Sequence, residues 1–180
     1  LVKPCVEAME ISSSDKVIDP ACGTGGFLFE AIRQVRERYH ESWPDSPEKA
    51  DQLLTKWANQ NCYGVDVDDI GVKLTRALML AVGDGSTHTY VGDSIAEHKW
   101  KDKYSHVISP LRDGQYTAVV TNPPFGSNLK ISATECKRSG YTISQAASAR
   151  TKEWSKMEIG LLFLERSWRL LQVGGRLGIV

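Results

Sequence analysis

The sequence is short of the features that mark several protein classes. It has four cysteines, Cys5, Cys22, Cys62 and Cys136, but no CxxC pair, and its four histidines lie nowhere near metal-ligand spacing. This argues against a structural zinc site and against a disulfide framework, and no metal ligands are assigned. Scattered thiols fit a reducing cytoplasm. Neither sign of charge dominates: 22 Lys and Arg balance 22 Asp and Glu, for a formal net charge of zero. A nucleic-acid partner would therefore have to be held by local sites. No apolar run approaches the roughly 20 residues that span a bilayer, and no secretory signal opens the chain. A membrane partner is not expected.

What remains is an alternation of short apolar runs and amphipathic stretches. Residues 15–19 read as a strand ending in an acid. A glycine-rich turn at 22–26 leads into a helix with Leu28, Ala31, Ile32 and Val35 on one face. A second helix is predicted at 47–60 and a strand at 62–67. The next helix carries Leu74, Ala77, Leu78 and Ala81 as its expected inward face. Strands follow at 87–91 and 116–121. A last helix is marked by Leu161, Leu164, Trp168 and Leu171, before a final strand at 175–180. Strands alternating with helices predict βαβ units in an α/β fold with a mainly parallel sheet flanked by helices. Ligands in such sheets bind beyond the carboxyl ends of the strands. The unusual residues of this sequence, Asp19, Asp66, Asp93 and Asn122, fall at those ends.

The string Asp19-Pro-Ala-Cys-Gly-Thr-Gly-Gly26 has the form D-x-x-x-G-x-G. Glycines at 23 and 25 permit backbone angles closed to other residues and let a ligand approach the main chain. It is neither the GxGxxG fingerprint nor a P-loop, since no Gly-Lys-Ser/Thr follows. A carboxylate at the mouth would repel a pyrophosphate but suits the ammonium of an amino acid. Asp19, Pro20, Ala21, Gly23, Thr24 and Gly25 are the candidate loop contacts, and a plain glycine turn is the competing explanation. Asp66, with Val67 beside it, fits an acceptor for both hydroxyls of a ribose. Asp68 and Asp69 fit better as caps of the following helix. Asp93, with Ser94, could accept from the amino group of an adenine ring, although an isolated Asp after a short strand is commonly just a loop residue.

Asn122-Pro-Pro-Phe125 follows an apolar strand. Pro123 and Pro124 fix the backbone and remove two N–H donors. The Asn122 side-chain oxygen and the Pro123 carbonyl remain as acceptors beside the Phe125 ring. Acceptors next to a stacking platform suit a planar ring bearing an exocyclic amine. An aromatic amine is a poor nucleophile because its lone pair is delocalised. Two acceptors holding its hydrogens favour a localised lone pair, and alignment and aimed dipoles supply the rest of the catalysis.

These residues resemble the methylation subunits of type I restriction–modification systems. Asp19-Pro-Ala-Cys-Gly-Thr-Gly-Gly-Phe-Leu28 is similar to their first motif, and Asn122-Pro-Pro-Phe-Gly126 to their catalytic motif. Tyr63-Gly-Val-Asp66 and Gly92-Asp93 resemble the intervening motifs. The opening helix at 1–9 and the helix-plus-strand at 165–180 resemble the ends of the same core. The resemblance implies a Rossmann-like class I methyltransferase fold and S-adenosylmethionine as cofactor. Methyl transfer to adenine N6 in DNA would follow, with Phe125 stacking on an extruded base. It also implies a specificity subunit as partner and often a restriction subunit. By resemblance, Asp19, Gly23 and Gly25 go to the methionine end of the cofactor, Asp66 to its ribose and Asp93 to its adenine. Asn122, Pro123 and Phe125 go to the target base. The chain starts at Leu1 in what reads as mid-helix and stops within an apolar run. It is read as a single catalytic core truncated after its fifth strand.

Residues 126–158 carry six Lys or Arg against three Glu. They read as a mobile insertion, with Lys130, Lys137, Arg138 and Arg150 as candidate phosphate contacts. A solvated variable loop is an equal reading. Rival functions are methylation of a protein glutamine or an RNA base, and a non-catalytic module kept for assembly. Methylation of cytosine N4 usually goes with Ser in place of Asn122.

Overall fold

A computed structural model describes all residues except 83–87, 127 and 147–152. In chain order the helices and strands are α1 (Val2–Met9), β1 (Val17–Asp19), α2 (Gly26–Ser42), α3 (Pro47–Asn61), β2 (Cys62–Asp66), α4 (Asp69–Ala81) and β3 (Thr89–Val91). They continue with α5 (Trp100–Lys103), β4 (Tyr116–Thr121), β5 (Lys130–Ile131), α6 (Ala133–Arg138), α7 (Thr142–Ala146), β6 (Met157–Glu158), α8 (Ile159–Leu170) and β7 (Leu171–Ile179).

Five strands form one parallel sheet in the order β3-β2-β1-β4-β7. The chain winds outward from β1 through β2 to β3, then crosses back to β4 and β7. The direction of winding reverses between β1 and β4, which places the switch point where Asp19 and Asn122 end neighbouring strands. Parallel strands covered on both faces are apolar throughout rather than alternating. Accordingly Val17, Ala118 and Val120 join one core with α1, α2 and α3, while Ile18, Val65 and Val119 join another with Trp100, Val107 and Leu170.

The predicted helices form, but two of them bury a different face from the one expected. In α4 the inward residues are Gly71, Val72, Thr75 and Met79, while Leu74, Ala77 and Ala81 are exposed and Leu78 is half-buried. The glycine loop explains this. A Cβ at Gly71 would come within 2.9 Å of the Gly23 carbonyl, and Thr75 Oγ1 donates to that carbonyl at 2.7 Å. Close approach needs small residues there, so the leucines turn outward. In α8 the inward face is Gly160, Leu162, Phe163, Arg166, Ser167 and Leu170, with Leu161, Leu164 and Trp168 exposed. Polar residues on the inner face disguised it. The final strand begins at Leu171, directly after α8, with an irregularity opposite Tyr116–Ala118. Of the strand expected at 87–91, Thr87 lies outside the described residues.

Segment 126–158 carries regular elements: β5 pairs antiparallel with β6, and α6 and α7 lie between them. Cys136, Tyr141 and Met157 pack with Leu162 and Phe163 of α8 in a third apolar cluster. Arg166 of α8, 1% exposed, lies beside the Tyr141 ring of this cluster. Its guanidinium donates to Glu97 Oε2 at 2.6 Å and to Asp113 Oδ1 at 3.0 Å, and lies over the Trp100 ring.

Candidate functional site

All the strand-end residues named from the sequence lie along one edge of the sheet, because the strands are parallel. The loop after β1 makes the first wall. Gly23 and Gly25 have φ of 49° and 87°, angles open chiefly to glycine, and the Gly25 amide donates to the Cys22 carbonyl at 2.7 Å. The loop is laced to its neighbours. The Gly23 amide donates to Asp66 Oδ2 at 2.8 Å, and Ser94 Oγ donates to the Pro20 carbonyl at 2.6 Å. The ends of β1, β2 and β3 are thereby fixed to one another through groups the sequence marked separately.

Asp19 is 1% exposed. Its Oδ1 accepts from the Ala21 amide at 3.0 Å, while Oδ2 is buried without a hydrogen-bond partner among the described residues. Burial pushes this carboxyl up to about 7. The Ala21 amide and the nearby Thr121 hydroxyl pull it down, and the Asp66 carboxylate adds to the rise. A buried, unsatisfied carboxylate oxygen is costly, and a cationic partner removes that cost. Asp19 thus orients the loop through Oδ1, while Oδ2 is left as an unused acceptor.

Asp66 accepts from the Gly23 amide through Oδ2 and from the Asp68 amide through Oδ1, at 2.8 and 2.9 Å. Asp68 caps α4, accepting from Ile70 and Gly71 amides at 3.1 Å. Asp93 Oδ1 accepts from the Ile95 and Ala96 amides, each at 3.1 Å. A carboxylate has lone pairs beyond these bonds, so Asp66 and Asp93 retain acceptor capacity.

A cavity of about 150 Å³ opens between these loops. Pro20, Ala21, Asp66, Val67, Asp93, Ser94 and Pro124 line it, as do Ile95, Ile131, Ile159 and Phe163. The last four were missed in the sequence. Ile131 comes from the insertion and reaches the cavity only through β5–β6 pairing. Ile159 and Phe163 lie on the face of α8 that its exposed leucines concealed. The cavity lining therefore combines two acids with apolar side chains, which suits a flat heterocycle joined to a sugar.

Asn122 to Gly126 run off the end of β4. Asn122 and Pro124 are exposed, Pro123 is buried, and Phe125 is 54% exposed. Pro124 faces the cavity, while the Phe125 ring lies against Gly160. Of the basic residues named in the insertion, Lys130, Lys137 and Arg138 are exposed, and Arg150 lies outside the described residues.

The sequence profile of the N-6 DNA methylase family matches residues 1–180, the whole chain. The chain belongs to this family. As an N-6 DNA methylase family member it is 26% identical over 178 residues to the type I restriction enzyme EcoEI methylase subunit of Escherichia coli, covering 97% of this chain and 29% of that protein. It is 23% identical over 183 residues to the MjaVII methylase subunit of Methanocaldococcus jannaschii, covering 98% of this chain and 27% of that one. Among solved structures, the M protein of the type I restriction enzyme EcoKI superposes with a TM-score of 0.64 at 19% identity, over 99% of this chain and 32% of that one. The methyltransferase subunit of a type I system from Streptococcus thermophilus gives 0.58 at 18%, with the same coverage. The fold is shared with these subunits, and this chain spans less than a third of their length. Among the described residues, no helix is long and apolar enough to cross a membrane.

Proposed function

We propose that this chain is the catalytic core of a DNA methyltransferase that modifies adenine N6 with S-adenosylmethionine as donor, within a type I modification subunit. The single observation that carries the cofactor half is Asp19. A buried carboxylate oxygen with only the Thr121 hydroxyl near it, beneath a positive-φ glycine loop, suits a cation at that point. The ammonium of the methionine moiety supplies one. Asp66 accepts from the ribose hydroxyls, and Asp93 accepts from the adenine amine, with Ile95, Ile131, Ile159 and Phe163 against the ring. Pro20, Ala21, Thr24, Val67 and Ser94 complete the contacts. The cavity is smaller than the roughly 300–1,000 Å³ of a whole small-molecule site, which fits a pocket for the heterocycle with the remainder lying over the open glycine loop.

Bound S-adenosylmethionine brings an activated methyl on a sulfonium. The chain's own part is to hold the acceptor. The Asn122 side-chain oxygen and the Pro123 carbonyl take the two hydrogens of the exocyclic amine and localise its lone pair. Phe125 stacks on the extruded base, and Pro124 closes the wall between the two ligands. The family assignment and the type I relatives support DNA as the substrate and a specificity subunit as the partner that reads its sequence.

The decisive experiment is methyl transfer from labelled S-adenosylmethionine to genomic DNA by the full-length subunit with its specificity partner. Wild type should yield N6-methyladenine, and Asn122→Ala should lose it by about a hundredfold or more. Label on protein or RNA would replace the reading with one of its rivals. Cofactor binding with no transfer to any substrate would mark a non-catalytic module.

A further inference from the structure

The first turn of α8 contains a glycine at a cost. Glycine is a poorer helix former than alanine, and Gly160 is buried with an ordinary helical backbone that does not require it. Space explains the choice. A Cβ there would lie 2.8 Å from Phe125 Cδ1 and 3.0 Å from Cε1, with the Pro124 carbonyl next at 3.8 Å. The side chain that needs the room is therefore Phe125, not the core. One side of the ring rests on the helix backbone, and the side chain remains 54% exposed.

The backbone beside the ring is held from the same turn. Gly126 follows Phe125 at φ 141°, and its amide donates to Glu158 Oε1 at 3.2 Å. Glu158 immediately precedes α8 and pairs with Lys130 across β5–β6, and the Ile159 amide donates to the Leu129 carbonyl at 2.9 Å. The segment that leaves at Gly126 thus returns at Glu158, and the aromatic side chain sits at its neck.

We infer that Glu158 and Gly160 are positioning residues that mount the Phe125 ring, fixing where the target base stacks. This rests on the proposed role of Phe125 as a stacking platform. Gly160→Ala would push aside the ring, the movable end of an exposed side chain, and leave the sheet and cofactor loop in place.

The experiment uses the full-length subunit in complex with its specificity partner, on a duplex whose modified adenine has been mapped. kcat and KM for DNA are measured, together with the Kd of S-adenosylhomocysteine and the melting temperature. Base–aromatic stacking corresponds to roughly five- to hundredfold in affinity. Gly160→Ala should lower kcat/KM for DNA by about tenfold while the Kd of S-adenosylhomocysteine stays unchanged. In a Phe125→Ala background the same substitution should add nothing. Glu158→Gln, which keeps an acceptor for the Gly126 amide, should retain activity that Glu158→Ala loses. An effect of Gly160→Ala that persists without the ring, that equally weakens S-adenosylhomocysteine, or that is absent altogether overturns the mount. If Phe125→Ala itself leaves kcat/KM intact, the platform role falls and the mount with it.

Discussion

The Gly23 amide donates to the Asp66 carboxylate at 2.8 Å, so the loop after β1 is held by the end of β2. The second acid of the site is thus also part of the frame of the first. Asp66→Ala strips an acceptor from the Gly23 and Asp68 amides together. Such a loss costs about 1–2 kcal/mol where water can partly replace the bond. Urea denaturation of the full-length protein should show that loss, and calorimetry should show cofactor affinity down more than tenfold. Asp66→Asn keeps one acceptor oxygen and should fall between. Wild-type affinity in Asp66→Ala would rule out both roles.

Asp19 gives a pH dependence whose sign is fixed by burial. Its folded-state carboxyl is raised to about 7 from 3.8, so between those values the folded chain holds a proton that the unfolded chain has lost. Its contribution to stability therefore declines as pH rises from about 4 to about 7 and is level above that. Asp19→Asn should flatten this slope and stabilise the unliganded protein at pH 8 by roughly 1–3 kcal/mol, read by thermal melts across pH. The same variant should lose S-adenosylhomocysteine binding.

A ligand ammonium favours the ionised form of Asp19. Wild-type affinity for S-adenosylhomocysteine should therefore weaken as pH falls below about 7, with proton release on binding near pH 6. Titration in buffers of different ionisation enthalpy measures that proton. No release would remove Asp19 from the ammonium site.

Arg166 is a buried cation whose two acids, Glu97 and Asp113, are themselves well exposed. Removing the arginine lets both acids rehydrate, so the cost lies mainly in lost packing against Trp100 and Tyr141. Arg166→Ala should destabilise the fold by about 2–4 kcal/mol, while Arg166→Met should recover most of it. Equal losses in urea melts would assign the effect to charge instead.

The basic residues of the insertion make a DNA-specific prediction. If Lys130, Lys137 and Arg138 touch phosphates, neutralising them in the intact complex should reduce the salt slope of DNA binding by about 0.9 per contact. Filter binding across salt concentrations reads the slope directly, and an unchanged slope would leave the segment as a solvated surface.

The parallel α/β sheet, and the edge where its acids and glycine loop gather, are legible in the chain's local pattern. Those follow from local signals: apolar runs that end in Asp19, Asp66 and Asn122, and glycines that only a tight loop needs. The two prolines after Asn122 are equally local, since they fix the backbone wherever they occur. Which helix faces turn inward depended on long-range packing, because contact with the glycine loop and the insertion outweighed the leucine periodicity of α4 and α8. Gly71 and Thr75 are buried by their fit against Gly23, and Arg166 by packing on Trp100 and Tyr141, with two acids distant in sequence pairing its head. The apolar wall of the cavity was hidden for the same reason. Ile131 and Phe163 are 32 positions apart, and only the β5–β6 pairing and the docking of α8 bring them together. Local chemistry is written in short strings of residues, whereas burial depends on what the rest of the chain places opposite.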